Sequence, residues 1–286
     1  MLNGWAKKQV GDFLNIQLKE KIMTSGEFIK IKIEESVAIL TVSRPAQNKV
    51  NVLTVKAMKE LDEFIDSAAK DDQIKAIVIT GEGPYTFIAG ADIKEIAKIN
   101  LKEQAVNLAK QGQAVFNKIE NLEKPVICAV NAICLGGGME LAMACHMRIA
   151  SDKAKFGQPE ILLGIIPGFG GTQRLLRLCG TAKAREIILT GDQISAKDAF
   201  DIGLVNQVVP EGRLLKEAVG FAKKIASRPQ IAVRLILRAI KEGVETSLSK
   251  GLELEANLFG DISQTQDMKE GVQAFVEKRQ PKFQGR

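Results

Sequence analysis

The most informative segment for the fold is Leu135-Gly-Gly-Gly-Met-Glu140-Leu-Ala-Met-Ala-Cys145. It follows an apolar run of strand length, residues 125–130, and continues with helical character. Three glycines at a helix start leave backbone N–H groups free, with the positive end of the helix dipole behind them. Gly137 and Glu140 are three residues apart and so share a face of the first turn. The segment predicts a pocket with an N–H donor and a carboxylate, although tight packing alone would also explain the glycines.

Strand and helix patterns alternate on the N-terminal side of this segment. Residues 28–33 alternate between apolar and polar, and residues 37–42 follow closely, which predicts a hairpin. Thr54 is a candidate N-cap of an amphipathic helix. The apolar run 76–80 predicts a buried strand, and residues 101–119 predict a helix. Short apolar strands separated by helices favour parallel pairing, so we expect an α/β fold.

The C-terminal third has a different character. Beyond about residue 180 the pattern is almost all helical, with helices expected near 212–227, 230–243 and 248–278. We therefore divide the chain into an N-terminal extension that is a candidate for disorder (1–26), an α/β core (27–205) and a C-terminal helical domain (206–286).

Composition excludes several classes of protein. The 286 residues include 45% hydrophobic side chains but no apolar run of the ~20 residues that a membrane helix needs. A single histidine, His146, rules out a His-based zinc cluster, so we expect no metal. The four cysteines form no CxxC pair and are expected to be reduced. The net charge of +6 favours anionic partners only weakly. Without a convincing signal or transit peptide, we expect a cytoplasmic location.

A second informative segment runs from Phe87 to Lys94. Its Ala89-Gly90-Ala91 core carries little side chain, so backbone N–H groups there can approach a ligand closely. A simpler interpretation is a glycine turn before a helix, with Asp92 as the cap.

A third segment, from Phe156 to Gly171, is rich in glycine and proline. We expect Glu160 to lie there in an irregular stretch between large apolar residues, which would raise its pKa and keep it ready as an acid. A single glutamate in a loop would otherwise face solvent.

Taken together and in order, these segments resemble the crotonase (enoyl-CoA hydratase/isomerase) family. The resemblance is carried by IAGADIKE (88–95), LGGGMELAMAC (135–145), FGQPEILLGIIPGFGGTQRL (156–175), LTGDQISAKDA (189–199) and AFVEKRQPKF (274–283). It implies a spiral of ββα turns and a C-terminal helical domain that forms trimers, commonly assembled into hexamers.

The resemblance also implies roles for individual residues. Glu140 and Glu160 would be the acid/base pair, Glu140 the more base-like, and the N–H groups of Ala91 and Gly137 would form an oxyanion hole. The residues expected to contact substrate or CoA are Ala89, Asp92, Ile93, Lys94, Gly168, Phe275 and Lys278, the last two from a neighbouring subunit. No cofactor is implied beyond CoA, which is part of the substrate.

Two positions depart from the family pattern. His146 stands where relatives often carry Asp, and we interpret it as structural. Phe169 stands where Ala is commoner, which leaves the acyl-chain preference open.

The sequence leaves three functions in competition. Hydration of a trans-2-enoyl-CoA is favoured because both glutamates are present, whereas family isomerases generally keep one. The alternatives are an enoyl-CoA isomerase or a lyase on a specialised acyl-CoA, and a non-catalytic RNA-binding homologue suggested by the basic charge alone. We expect an acyl-CoA thioester as partner, and neither nucleic acid nor a membrane.

Overall fold

A computed structural model describes residues 20–23, 26–44 and 50–286. The expected N-terminal extension falls mostly outside the described residues. Within it, residues 20–23 form an edge strand that pairs antiparallel with the next strand. The domain boundaries proposed above remain predictions.

Most strands belong to one seven-stranded sheet in the order β1-β2-β3-β4-β6-β8-β11. These strands are Glu20–Met23 (β1), Ile29–Glu34 (β2), Val37–Val42 (β3), Ala76–Gly81 (β4), Val126–Val130 (β6), Met147–Ser151 (β8) and Gln207–Val209 (β11). The expected hairpin is confirmed, since β2 and β3 pair antiparallel, and every pairing from β3 onward is parallel. Both β4 and β6 are fully buried, and apart from Thr80 their side chains are apolar, as expected for strands covered on both faces.

A smaller sheet of four strands has the order β10-β9-β7-β5. Its strands are Thr86–Ile88 (β5), Ile133–Leu135 (β7), Lys155–Gly157 (β9) and Ile194–Ser195 (β10). The chain alternates between the sheets: β4 then β5, β6 then β7, β8 then β9, each pair followed by a helix. This repetition is the spiral of ββα turns that was expected.

The described residues form ten α-helices and two short 3₁₀ helices. The α-helices are Val55–Lys70 (α1), Ile93–Ile96 (α2), Lys102–Glu120 (α3), Gly137–Ala144 (α4), Gly171–Thr190 (α5), Ala196–Asp201 (α6), Leu214–Ala226 (α7), Gln230–Val244 (α8), Leu248–Ser263 (α9) and Gln266–Val276 (α10). The 3₁₀ helices are Pro159–Leu163 and Glu211–Arg213. The N-cap at Thr54 is confirmed, because its hydroxyl accepts the amide hydrogen of Ala57 at 3.0 Å.

Two expectations for the C-terminal third were wrong. The single helix over 248–278 is two helices, α9 and α10, because the hydroxyl of Thr265 accepts the amide hydrogen of Met268 and starts a new helix. The region is also less helical than expected, since β10 and β11 add to the two sheets. Helix α7 then packs on the outer face of the large sheet through a second buried cluster that includes Val37, Val78 and Ala218.

Candidate active site

The glycine triplet joins β7 to α4 at the carboxyl end of the small sheet. Gly136 has φ 51° and ψ −126°, a conformation that side chains essentially exclude. A Cβ on Gly138 would lie 2.2 Å from the carbonyl oxygen of Ile88, so only glycine lets α4 approach β5 this closely. The predicted strand–glycine–helix turn is therefore confirmed, and its glycines serve close packing.

The loop after β5 lies against this helix start. Two backbone hydrogen bonds with Leu53 fix the position of this loop. The Leu53 amide donates to the Gly90 carbonyl at 2.9 Å, and the Leu53 carbonyl accepts from the Asp92 amide at 3.1 Å. A Cβ on Gly137 would be 3.3 Å from the Ala91 nitrogen, so the two residues expected to form an oxyanion hole are neighbours. Among the described residues, neither amide has a hydrogen-bond acceptor. Two backbone N–H groups without acceptors in the described part of the chain thus lie close together.

Glu140 lies on the first turn of α4 and is only 2% exposed. Its Oε1 atom accepts two backbone N–H groups, from Phe169 at 2.8 Å and from Gly171 at 2.7 Å. Burial raises the pKa of Glu140 to about 7, and the charge of Glu160 pushes in the same direction. The two backbone hydrogen bonds and the charge of Arg174 partly oppose this rise. The carboxyl group is thus rigidly held and titrates near neutrality.

Glu160 belongs to the 3₁₀ helix Pro159–Leu163, rather than to the irregular stretch that was expected. Glu160 follows β9 and lies close to the start of α4, since a Cβ on Gly136 would be 2.8 Å from Glu160 Oε1. Burial raises its pKa, as expected. Its Oε2 atom is buried and has no hydrogen-bond partner among the described residues. Such an atom is available to a bound water or substrate.

Sequence reasoning assigned no role to Gln158, which is fully buried beside both glutamates. Its Nε2 donates to the Gly136 carbonyl at 3.2 Å, while its Oε1 has no partner among the described residues. A Cβ on Gly171 would meet both Gln158 Oε1, at 2.7 Å, and Glu140 Oε1, at 3.0 Å. Its place two residues before Glu160 in the same segment was a usable signal, but its burial was not visible from the sequence.

A cavity of about 470 Å³ opens beside the Ala91 loop. Apolar side chains dominate one side of it, among them Leu53, Met58, Leu108, Val115 and Phe169. Phe169 is nearly buried, and its ring meets that of Phe116 edge-on with 5.8 Å between centroids. A Cβ on Gly112 would lie 2.3 Å from the Phe169 ring, so Phe169 fills the space that this glycine leaves.

A larger cavity, of about 740 Å³, lies elsewhere, between α1, the end of α3 and the start of α8. None of the predicted site residues lines it, and its lining includes charged residues of both signs, such as Lys75 and Asp72. Of the predicted site residues, Ala91 and Asp92 line the cavity of about 470 Å³, whereas Glu140, Glu160 and Gly137 do not.

The expected CoA contacts are only partly brought together. Asp92 lines the cavity and also caps the short helix α2, since its Oδ1 accepts the amide hydrogen of Lys94 at 2.9 Å. Ile93 and Lys94 are exposed, Ala89 is half-buried in the loop, and the Gly168 carbonyl accepts from the side chain of Gln113 at 2.8 Å; none of these four residues lines the cavity.

Phe275 lies in the last turn of α10 and Lys278 two residues beyond its end, and neither lines this cavity. Phe275 is 85% exposed. Their role toward a neighbouring subunit stays a prediction.

The remaining candidate groups are structural. His146 accepts the amide hydrogen of Val126 at 3.0 Å, and burial lowers its pKa to about 4, so it is neutral near pH 7. All four cysteines are free. In the described part of the chain, no group of three or more His, Cys, Asp and Glu residues could hold a metal ion. No helix in that part is long and apolar enough to span a membrane.

Known proteins of one family resemble this chain over most of its length. The Enoyl-CoA hydratase/isomerase family profile matches residues 32–286. The chain belongs to this family. It is 46% identical to a crotonyl-CoA hydratase of Syntrophomonas wolfei over 257 residues, which are 90% of this chain and 98% of that protein. It is 44% identical to a short-chain-enoyl-CoA hydratase of Clostridium acetobutylicum, over 86% of this chain and 93% of the relative.

Solved structures support the same family. The crystal structure of an enoyl-CoA hydratase from Bacillus anthracis superposes with a TM-score of 0.84 at 38% identity, covering 94% of this chain and all of that one. The crotonase fold and the enzymatic nature of the chain follow from these relationships.

Proposed function

We propose that this family member catalyses the reversible hydration of a trans-2-enoyl-CoA to a 3-hydroxyacyl-CoA. The observation that carries the proposal is the pairing of two glutamates with raised pKa values beside two free backbone N–H donors. Hydration needs all four groups, because a proton must leave water, another must reach carbon, and an enolate must be stabilised.

The N–H groups of Ala91 and Gly137 are assigned to the thioester carbonyl. When water attacks Cβ, negative charge develops on that carbonyl oxygen, and two fixed donors stabilise it without reorganising. Each such donor is worth roughly 10²–10³ in rate. Their closeness, with the N-terminal end of α4 behind Gly137, supports this role.

The two carboxyl groups are assigned to proton transfer. Glu140 takes a proton from the attacking water, and Glu160 delivers one to Cα, each typically contributing about 10²–10⁴ in rate. Since both backbone donors bind Oε1 of Glu140, its Oε2 is the oxygen assigned to the water. Because the two groups are coupled, the pair titrates together. The chemistry needs no cofactor, since CoA itself activates the alkene through its thioester.

The acyl chain is proposed to be short. The relatives named above are called crotonyl-CoA and short-chain-enoyl-CoA hydratases. In this chain the bulky Phe169 stands in the apolar wall of the cavity. CoA is proposed to run past Asp92, Ile93 and Lys94.

A homotrimer, or a hexamer made of two trimers, is proposed as the assembly. The C-terminal helices expose large apolar side chains, which are Ile236, Ile240, Val244, Leu248, Leu252, Phe259, Val272, Phe275 and Val276. Such surface marks an interface. Light scattering should give three or six times the chain mass of 31.1 kDa, and a monomer would contradict this assembly.

The deciding experiment follows the loss of enoyl thioester absorbance with crotonyl-CoA. Turnover to the 3-hydroxyacyl product is expected. No turnover with crotonyl-CoA or longer enoyl chains would refute hydration. Product analysis with a 3-enoyl-CoA separates the isomerase alternative, and salt-dependent RNA affinity without turnover would favour the binding protein.

A further inference from the structure

Arg174 is a buried cation that the proposed reaction does not use directly. It lies on the first turn of α5, three residues after Gly171, and is 8% exposed. It does not line the cavity of about 470 Å³. A guanidinium in such a place requires partners for its charge and its donors.

The guanidinium joins the loop before α5 to the end of α3. One nitrogen donates to the carbonyl oxygen of Phe169 at 2.9 Å. A second donates to Asn117 Oδ1 at 2.6 Å and to Glu120 Oε2 at 2.7 Å, and Nε reaches the same carboxylate oxygen at 3.1 Å. Glu120 is the last residue of α3, where the helix dipole disfavours a carboxylate, so the guanidinium also offsets that charge.

The peptide units that Arg174 holds are those that hold Glu140. Phe169 donates its N–H to Glu140 Oε1 at 2.8 Å and accepts from Arg174 through its carbonyl. Gly170 follows with φ 112°, and a Cβ there would lie 2.3 Å from the guanidinium. Gly171 then donates the second hydrogen bond to Glu140. A displacement of Arg174 would therefore misplace both donors to the carboxylate.

We propose that Arg174, anchored by Glu120 and Asn117, is a positioning residue that holds the Phe169–Gly171 backbone against Glu140. It acts through this loop and does not touch substrate. The charged groups that act on Glu140 are Glu160 and Arg174 itself, which have opposite effects on its pKa. Loss of Arg174 thus removes both a geometric support and a nearby positive charge. The proposal rests on the proposed function, in which Glu140 moves a proton.

The test compares Arg174→Met and Arg174→Lys with the wild-type enzyme on crotonyl-CoA. We expect Arg174→Met to lower kcat by about 10- to 100-fold, because small misplacements of catalytic groups cost rates of this order. KM should change by no more than about threefold, since Arg174 lies outside the cavity. The acid limb of the kcat profile should move up by about half a pH unit or more. Arg174→Lys should recover part of the lost kcat. Its acid limb should lie close to that of the wild type, since lysine keeps the positive charge.

Arg177→Met is the matched control. Arg177 lies on the same helix, is about half exposed and pairs with Glu245, so its loss should leave kcat and the pH profile unchanged. Glu120→Ala covers the case in which Arg174→Met does not fold, because the Glu120 side chain is 43% exposed. This substitution removes the carboxylate that anchors the Arg174 guanidinium, and it should lower kcat by about three- to tenfold.

Wild-type kcat and an unmoved acid limb in folded Arg174→Met would overturn the proposal. The same result in Glu120→Ala overturns it when Arg174→Met does not fold. A loss of activity that only follows the folded fraction, with no shift of the limb, would show a purely structural role and also overturn it.

Infrared titration of the Glu140 carboxyl band, identified by its absence in Glu140→Gln, gives a readout without turnover. A higher pKa in Arg174→Met supports the proposal, and an unchanged one contradicts it. Inactive wild-type enzyme would refute the proposed function alone, because this titration would still decide the role of Arg174.

Discussion

The Oε1 atom of Glu140 accepts the amide hydrogen of Gly171 at 2.7 Å, although the two residues are 31 positions apart in the chain. The contact joins the first turn of α4 to the first turn of α5. It gives the buried carboxylate a hydrogen-bond donor, and buried polar groups in proteins usually have such partners. The pKa of about 7 for Glu140 is the balance between that burial and these donors.

Replacing either glutamate by glutamine should remove proton transfer while keeping the shape of the site. We expect Glu140→Gln and Glu160→Gln each to lower kcat with crotonyl-CoA by about 10²–10⁴. KM should stay within a few-fold, because the amide can still occupy the same space. Glu186→Gln, at an exposed pair with Lys183, is the matched control and should behave as wild type. A near-normal kcat in either glutamine variant would remove that residue from the mechanism.

The rate should depend on pH through the same pair. Glu140 must be ionised to accept a proton, and burial raises its pKa to about 7. Therefore kcat/KM should fall about tenfold per pH unit well below pH 7. Glu160 must be protonated to act as an acid, which predicts a second limb on the alkaline side. Profiles measured at constant ionic strength test both limbs, and a flat profile through pH 6 would contradict this assignment.

Ionisation of Glu140 should also cost stability. Its pKa is about 7 in the folded protein against an ordinary 4.5, so the folded state binds the proton more tightly. Stability should therefore fall as pH rises from about 4.5 to 7, by on the order of 3 kcal/mol. Glu140→Gln removes this penalty, so its melting temperature should exceed that of wild type at about pH 8 and match it near pH 4.5. A gap that does not change with pH would mean that Glu140 titrates normally.

Phe169 should limit the length of the acyl chain. Its ring stands between the space over Gly112 and the apolar wall of the cavity. Phe169→Ala keeps the backbone N–H that binds Glu140 but opens the cavity. We expect kcat/KM for an octenoyl-CoA to rise at least about tenfold relative to crotonyl-CoA, since accommodating a single further methylene is worth roughly 1–3 kcal/mol. The exposed Phe200 provides a control. An unchanged ratio would place the acyl chain elsewhere.

Gly138 should tolerate no side chain. A Cβ there would lie 2.2 Å from the carbonyl oxygen of Ile88, and a backbone atom cannot rotate away. We expect Gly138→Ala to be destabilised by about 1–3 kcal/mol or more. Gly220→Ala is the contrasting variant, because nothing lies within 4 Å of its added Cβ on α7, and it should be neutral or stabilised. Thermal unfolding of both compares them directly.

The sequence predicted those elements of the fold that depend on residues close together in the chain. Thr54 could be recognised as a cap because its hydroxyl bonds to an amide three residues on. The glycine triplet could be recognised because strand and helix meet there within a few residues. The prediction of a single helix over 248–278 was wrong because Thr265 could lie inside a helix or cap one. Only the hydrogen bond from the Met268 amide to the Thr265 hydroxyl shows that it is an N-cap.

By itself, the sequence determined the alternation of strands and helices, the glycine turn and, through the order of its motifs, the family. These depend on side-chain periodicity and backbone freedom, which act over a few residues. Only the tertiary structure decided which groups surround Glu140. Gly171 and Arg174 of α5 and Gln158 after β9 reach it or its loop, and burial, which sets its pKa, is a property of the folded chain. The proposed acid/base pair is indicated by its motifs, but the environment of Glu140 is made by contacts between segments that no local pattern encodes.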